Sequence, residues 1–173
     1  MAIKGNGYQK TTWAFQERPV ASLKLNNWDD RIEAALELAY FLLNQAWGGG
    51  NGVVRGATTD DLRVSPSNPV SLSVVIAPGY AFISHAPYKL AVTTTTAQFA
   101  PPAVHPRIDL IQATLDGWAI SIKPGHEAAS PVAPGIDADC VALAQLYLRP
   151  GMTVVKESDD AVNGYIIDAR SFV

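Results

Sequence analysis

From residue 53 to residue 173 the apolar residues come in short runs, and a turn signal closes each run. The runs are VSLSVVI (70–76), YAFI (80–83), YKLAV (88–92), RIDLIQATL (107–115), WAISIK (118–123), VALAQLYL (141–148) and YIIDA (165–169). They are rich in β-branched and aromatic residues and too short for ordinary helices, so the spacing predicts strands. APG, HAP, LDGW, PGH, RPGM and VNG lie between them. Gly, Pro, Asn and Asp supply the backbone angles and local hydrogen bonds that tight turns need. Asp116-Gly117 between two apolar runs is the strongest hairpin signal. TTTT at 93–96 is β-prone and polar, as an exposed edge strand would be. AASPVAPGIDAD (128–139) reads as a Pro/Ala crossover loop between sheets. With no helical period between the runs, residues 53–173 are expected to form a mainly β domain, an antiparallel β-sandwich of jelly-roll-like type.

The remainder of the chain divides in two. Residues 1–26 have neither helical nor alternating period and are expected to form an extended N-terminal arm. Trp13 and Phe15 are large apolar side chains on that arm; they either fold back on the chain's own domain or dock on a neighbouring subunit. Residues 27–52 are expected to be a helix followed by a glycine-rich hinge. Asn27 is the expected N-cap, since its side-chain oxygen can accept an orphan backbone N–H. Asp29 and Asp30 would then lie at the positive end of the helix dipole. GGGNG (48–52) ends the helix, because glycine takes the left-handed cap conformation without steric cost.

The helix is apolar on more than one side. Trp28, Ile32, Ala35, Ala39, Leu42 and Ala46 recur at steps of four and three, the spacing of a heptad seam. Leu36, Tyr40, Leu43 and Trp47 form a second stripe, and Leu38 and Phe41 extend the apolar surface. A helix of this kind is expected to be buried on several sides: either in the core of its own domain or against copies of itself, with Ala at seam positions allowing close backbone approach. The glycine run that separates it from the strands favours self-association.

Charge and reactive side chains narrow the function classes. The formal net charge is -3 and the 13 Lys and Arg residues are scattered singly, whereas a general nucleic-acid binder needs a basic patch. No apolar run is long enough to span a bilayer, and the N-terminus lacks the apolar core of a signal peptide. Neither nucleic-acid binding nor membrane insertion is expected. The single cysteine, Cys140, excludes an intramolecular disulfide framework, makes a Cys-based zinc site improbable and fits synthesis in a reducing cytoplasm. His85, His105 and His126 are far apart and lie beside Pro or Gly turns, outside any metal-ligand spacing. The Asp pairs at 29/30, 60/61 and 159/160 fit a helix start and turns rather than a calcium loop. GGGNGVVRG lacks the Lys-Ser/Thr ending of a phosphate-binding loop. No catalytic residue, metal site or cofactor is expected. Two Asp-Arg couples stand out, Arg107 with Asp109 and Asp168 with Arg170. At a spacing of i, i+2 the side chains share one strand face, and both couples are expected to be structural ion pairs.

At these residues the sequence resembles a known module. GYAFI, then HPRIDLIQATL, then PGHEAASPVAPGIDADCVALAQLYLRPGMTVV, then GYIIDAR is an ordered set similar to one found in tail and baseplate proteins of tailed bacteriophages. It covers roughly residues 79–170. The resemblance implies a β-sandwich of the upper-baseplate or fibre-base kind, commonly a homotrimer that holds receptor-binding fibres on the virion, or equally a spike base on the head or neck. It also implies that Trp13 and Phe15 anchor the chain to the virion and that the helix seam is the oligomer interface. Arg107, Asp109, Asp168 and Arg170 match the family's pattern, which implies structural roles. The implied partners are further copies of the chain and other virion proteins of the tail, baseplate, neck or fibre. The implied location is the virion, after synthesis in the host bacterial cytoplasm. Many members continue past the closing element into a shaft or head; ending at Val173 favours a connector or base role. The alternative from a different class is a carbohydrate-binding β-sandwich acting at the host surface, with Trp118, Tyr88 or Tyr80 stacking on sugar. A hydrolase has no support from residue spacing, since Ser, His and Asp occur in any chain of this length.

Overall fold

A computed structural model describes residues 22–46, 48–56, 60–116 and 119–173. The chain divides into two compact units, Met1–Gly48 and Gly49–Val173. In the first unit the described element is helix α1, Ser22–Ala46. It begins five residues before the expected start, so Asn27 is an interior helix residue and not the N-cap, and the first turn holds no acidic residue. Leu23, Lys24 and Leu25 are good helix formers, and adding residues to a nucleated helix is cheap; the absence of a wider apolar period does not stop them. Gly48 donates to the Gln45 carbonyl at 3.1 Å, and Gly48, Gly49 and Gly50 all have φ between 73° and 97°. The glycine run therefore ends α1 as expected.

The second unit is mainly β and carries all the strands of the described residues. They are β1 (Gly52–Val53), β2 (Val64–Pro66), β3 (Val74–Ile76), β4 (Gly79–Ile83), β5 (Ala86–Leu90), β6 (Thr94–Thr95), β7 (Arg107–Thr114), β8 (Ala119–Lys123), β9 (Cys140–Leu148), β10 (Val155–Lys156) and β11 (Gly164–Asp168). They form two three-stranded sheets, β1-β4-β5 and β2-β3-β6, and one five-stranded sheet, β10-β11-β9-β7-β8. Strand pairing is antiparallel except for β10 with β11. β6, from the TTTT run, is an edge strand.

Two hairpins lie at or beside expected turn signals. β7 and β8 pair from Leu110↔Lys123 to Thr114↔Ala119 around Asp116-Gly117. β4 and β5 pair through Ile83↔Ala86, and the two intervening residues, Ser84 and His85, both have positive φ, 50° and 66°. That is the mirror-image turn whose twist suits a two-residue hairpin, made here without glycine. The loop 128–139 departs from expectation. It joins β8 to β9, which belong to the same sheet with β7 between them; it crosses over one strand and does not pass between sheets.

β9 explains how the longest strand is buried nearly throughout. Its pairing with β7 shifts between Ile111↔Ala144 and Gln112↔Ala142, leaving Leu143 as the extra residue of a bulge. Leu148, Leu146 and Ala144 face the core by alternation; after the bulge Leu143 and Val141 do so as well. The core they enter is shared by all three sheets, with Ala81 and Ile83 of β4, Val64 of β2, Val74 and Ile76 of β3, and Ile111 and Ala113 of β7. The C-terminal residues close it: Val53 of β1 donates to the Ser171 carbonyl at 2.7 Å and accepts from Val173 N–H at 3.1 Å.

Candidate functional site

The two Asp-Arg couples are held in different ways. On β7, Arg107 Nε lies 2.9 Å from Asp109 Oδ1 and Nη2 lies 3.2 Å from Oδ2. The Asp109 side chain is buried, and Gly125 N–H completes its hydrogen bonding at 3.0 Å. Arg107 also donates to the Ala100 carbonyl at 2.9 Å. The cluster therefore ties the start of β7 to the segments on either side of the hairpin. Arg170 lies beyond the end of β11, so the second couple is not within one strand. Arg170 donates twice to Asp168, at 2.9 and 2.7 Å, and reaches the Asp61 carbonyl at 2.7 Å. The adjacent guanidinium holds the Asp168 carboxyl below the usual carboxylate range.

Beside this second couple lies a groove of about 420 Å³. Its walls are Arg63 and Val64 at the start of β2, Glu157 just after β10, Ile166 and Asp168 of β11, and Arg170 and Phe172 of the C-terminal segment. Arg63 bonds Glu157 at 2.6 Å and Asp60 at 3.1 Å. The Arg170 side chain is only 5% exposed, while those of Asp168 and Glu157 are 57% and 51% exposed. The guanidiniums of Arg55 and Arg170 lie 5.0 and 5.1 Å from the centroid of the Phe172 ring. Sequence reading found Asp168 and Arg170 by their spacing. It missed Glu157, whose partner is 94 positions away, a distance at which no local pattern gives a signal.

Other carboxylates are engaged with backbone and cations. Glu127 accepts the backbone N–H groups of Ala103, Val104 and His105 at 2.8, 3.0 and 3.2 Å, and these three donors hold its carboxyl below the ordinary range. Asp137 bonds Lys123 and takes Gln112 Nε2 at 2.6 Å, which pins the 128–139 loop to β7 and β8 and depresses the Asp137 carboxyl. Asp159 pairs with Arg149 at 2.9 Å, and Arg149 stands 4.9 and 5.3 Å from the rings of Tyr147 and Tyr165. Those two rings stack at 5.2 Å across β9 and β11. This group was not singled out from the sequence; the i, i+2 spacing of Tyr147 and Arg149, which places both on one side of the chain, is the pattern that could have found it.

The histidines and the cysteine are scattered among these features. His85 is in the β4/β5 turn, and His105 and His126 are in the segments flanking the β7/β8 hairpin. Cys140 is buried at the start of β9. Among the described residues no group of three or more His, Cys, Asp or Glu could hold a metal ion, and no helix is long and apolar enough to cross a membrane.

The aromatic residues named for sugar stacking separate. Tyr88 is fully buried in the shared core and cannot meet a ligand; alternation on β5 turns it inward. Tyr80 is exposed, with Lys89 Nζ 5.6 Å from its ring. Trp118 lies outside the described residues, as do Trp13, Phe15 and Trp47.

In the single copy most of the helix seam is open to solvent, so it is not buried in the chain's own core. Ile32 and Ala35 are half-buried, whereas Trp28, Ala39, Leu42 and Ala46 are exposed. Leu36, Phe41 and Leu43 of the flanking stripes are exposed too, and Asn44 is the one fully buried residue of the described helix.

No family model matches the chain, no curated protein matches it and no solved structure matches it.

Proposed function

We propose that the chain is a non-enzymatic structural component of a tailed-phage virion, an oligomeric, trimeric subunit of the tail, baseplate or fibre base that links the virion to its host-recognition fibres. The observation that carries the reading is the apolar surface of α1. On the seam Leu42 is 50% exposed and Trp28 41%, and on the stripe beside it Leu36 is 47% exposed; together they form a row of large side chains, two stripes wide, that a single copy leaves in water. Three copies around an axis would cover that row, with Ala35 and Ala39 at the points of closest approach. The resemblance of residues 79–170 to phage modules supports the same reading. So does the use of the polar side chains: Asp109 and Asp137 each fix a loop to a strand, and Glu127 ties the segment before β7 to the segment after β8. The three sheets sharing one core fit a jelly-roll-like sandwich. Trp13 and Phe15 are the proposed anchors to neighbouring virion proteins.

Light scattering on the full chain tests this. The expected mass is about three times the 18.5 kDa of one chain, falling to one chain in Leu42→Glu. Leu42 is exposed in the single copy, so the charge is compatible with folding. A monomer at micromolar concentration overturns the reading, and a Leu42→Glu trimer removes the helix from the interface.

The second reading, a carbohydrate-binding module in host adsorption, loses Tyr88. It keeps Tyr80 and gains the groove beside Arg170.

A further inference from the structure

We propose that the groove between β2 and β11 binds a neutral, polyhydroxylated ligand of roughly monosaccharide to disaccharide size. Its charges decide the class. Two guanidiniums, Arg63 and Arg170, face two carboxylates, Glu157 and Asp168, and each is already paired: Arg63 with Glu157 at 2.6 Å, Arg170 with Asp168 at 2.9 and 2.7 Å. An anionic ligand would compete with a carboxylate for its guanidinium, and a cationic ligand would compete with a guanidinium for its carboxylate. A hydroxyl both donates and accepts, so it can add to a carboxylate edge without breaking the pair. The Glu157 and Asp168 side chains are more than half exposed and available to donors from solvent. A vicinal diol is the group that presents two such hydroxyls at fixed spacing.

The remaining walls suit the rest of a sugar. Ile166 and Phe172 give an apolar side for ring C–H groups. The site is also held in place before any ligand arrives. Arg170 is buried and tied to the Asp61 carbonyl, Phe172 is bridged to β1 through Val53, and Ile166 and Asp168 share one face of β11. Preorganisation of this kind lowers the ordering cost of binding. All the groups belong to the strand-rich unit, so occupancy of the groove and assembly through α1 are separate properties.

Saturation-transfer NMR on the full chain reads binding of galactose and N-acetylglucosamine, with glucuronate and glucosamine as the charged comparators. At least one neutral sugar at about 10 mM is expected to give a signal, and Glu157→Ala and Arg63→Ala are each expected to weaken it roughly tenfold. Both side chains are about half exposed, so both variants are expected to keep the parent's near-ultraviolet circular dichroism. No signal from either neutral sugar, a signal from a charged sugar alone, or a signal that both variants retain overturns the proposal. The mass of the same samples is read alongside. A missing sugar signal in an oligomeric sample sinks the groove alone, whereas a sugar signal from a monomer leaves the groove standing and sinks the assembly reading.

Discussion

Arg107 and Asp109 form a fork-to-fork ion pair two residues apart on β7, with Nε and Nη2 at 2.9 and 3.2 Å from the two carboxylate oxygens. The Asp109 side chain is 2% exposed, so its charge is tolerated only because Arg107 and the Gly125 N–H surround it. Removing one partner of such a pair leaves a charge stranded in the interior. Arg107→Ala is expected to cost about 3–5 kcal/mol of unfolding free energy. Arg107→Lys should recover only part of that loss, because an ammonium cannot reproduce the bidentate contact together with the bond to the Ala100 carbonyl. Urea denaturation of the three chains checks the order: native most stable, then lysine, then alanine.

Gly125 serves the same cluster through its lack of a side chain. A Cβ built there would lie 2.1 Å from the Ile108 carbonyl oxygen, and that oxygen belongs to strand backbone that cannot swing away. Gly125→Ala is expected to destabilise by at least about 1–3 kcal/mol, the cost of forcing extra atoms into a packed site. Gly135 on the 128–139 loop is the control, since a Cβ there meets nothing within 4 Å. Gly135→Ala should leave the denaturation midpoint within error. Equal midpoints for the two variants would contradict the close approach of residue 125 to β7.

The carboxylates that fasten the loops set the pH dependence. Glu127, Asp137, Asp159, Asp160 and Asp168 are all held below their ordinary values. The causes are backbone donors for Glu127, Lys123 and Gln112 for Asp137, Arg149 for Asp159, Asn163 and Lys156 for Asp160, and Arg170 for Asp168. A carboxyl whose folded pKa is depressed adds stability that is fully present above its unfolded value, about 4, and is lost as pH falls through the folded one. Urea midpoints are therefore expected to be flat from neutral pH to about pH 5 and to fall below about pH 4. Glu127→Gln should lower the midpoint at neutral pH and show a smaller drop in acid, because its anion no longer contributes. A Glu127→Gln profile parallel to the parent's would show that the three-donor nest does not favour the anion.

The strands that could be read in the sequence are those whose own residues decide them. β7 and β9 carry long β-branched and aliphatic runs, and the β7/β8 hairpin carries Asp-Gly. β1, β2 and β10 are two or three residues long and exist only through distant partners, as Val53 does with Ala81 and Phe172. No local pattern announces such pairings. The loop 128–139 was legible as a loop but not in its path, because its course is fixed by Asp137 meeting Gln112 and Lys123. At the groove, Asp168 and Arg170 announced themselves by spacing, while Arg63 and Glu157 meet only once β2 and β10 are in place.

Asn27 separates the two accounts of how α1 begins. As an N-cap it would accept a backbone N–H, and Asn27→Ala would cost about 1 kcal/mol. The helix instead starts at Ser22, which leaves Asn27 exposed within the helix. There alanine is the better residue by roughly 0.5 kcal/mol, since asparagine competes for local backbone hydrogen bonds and alanine does not. Asn27→Ala is thus expected to raise the thermal midpoint followed at 222 nm, and Leu25→Gly to lower it by disrupting a helical turn that the capped version would not contain. A fall in the midpoint of Asn27→Ala, with no effect of Leu25→Gly, would return the helix start to Asn27 and leave the seam from Trp28 to Ala46 as it stands.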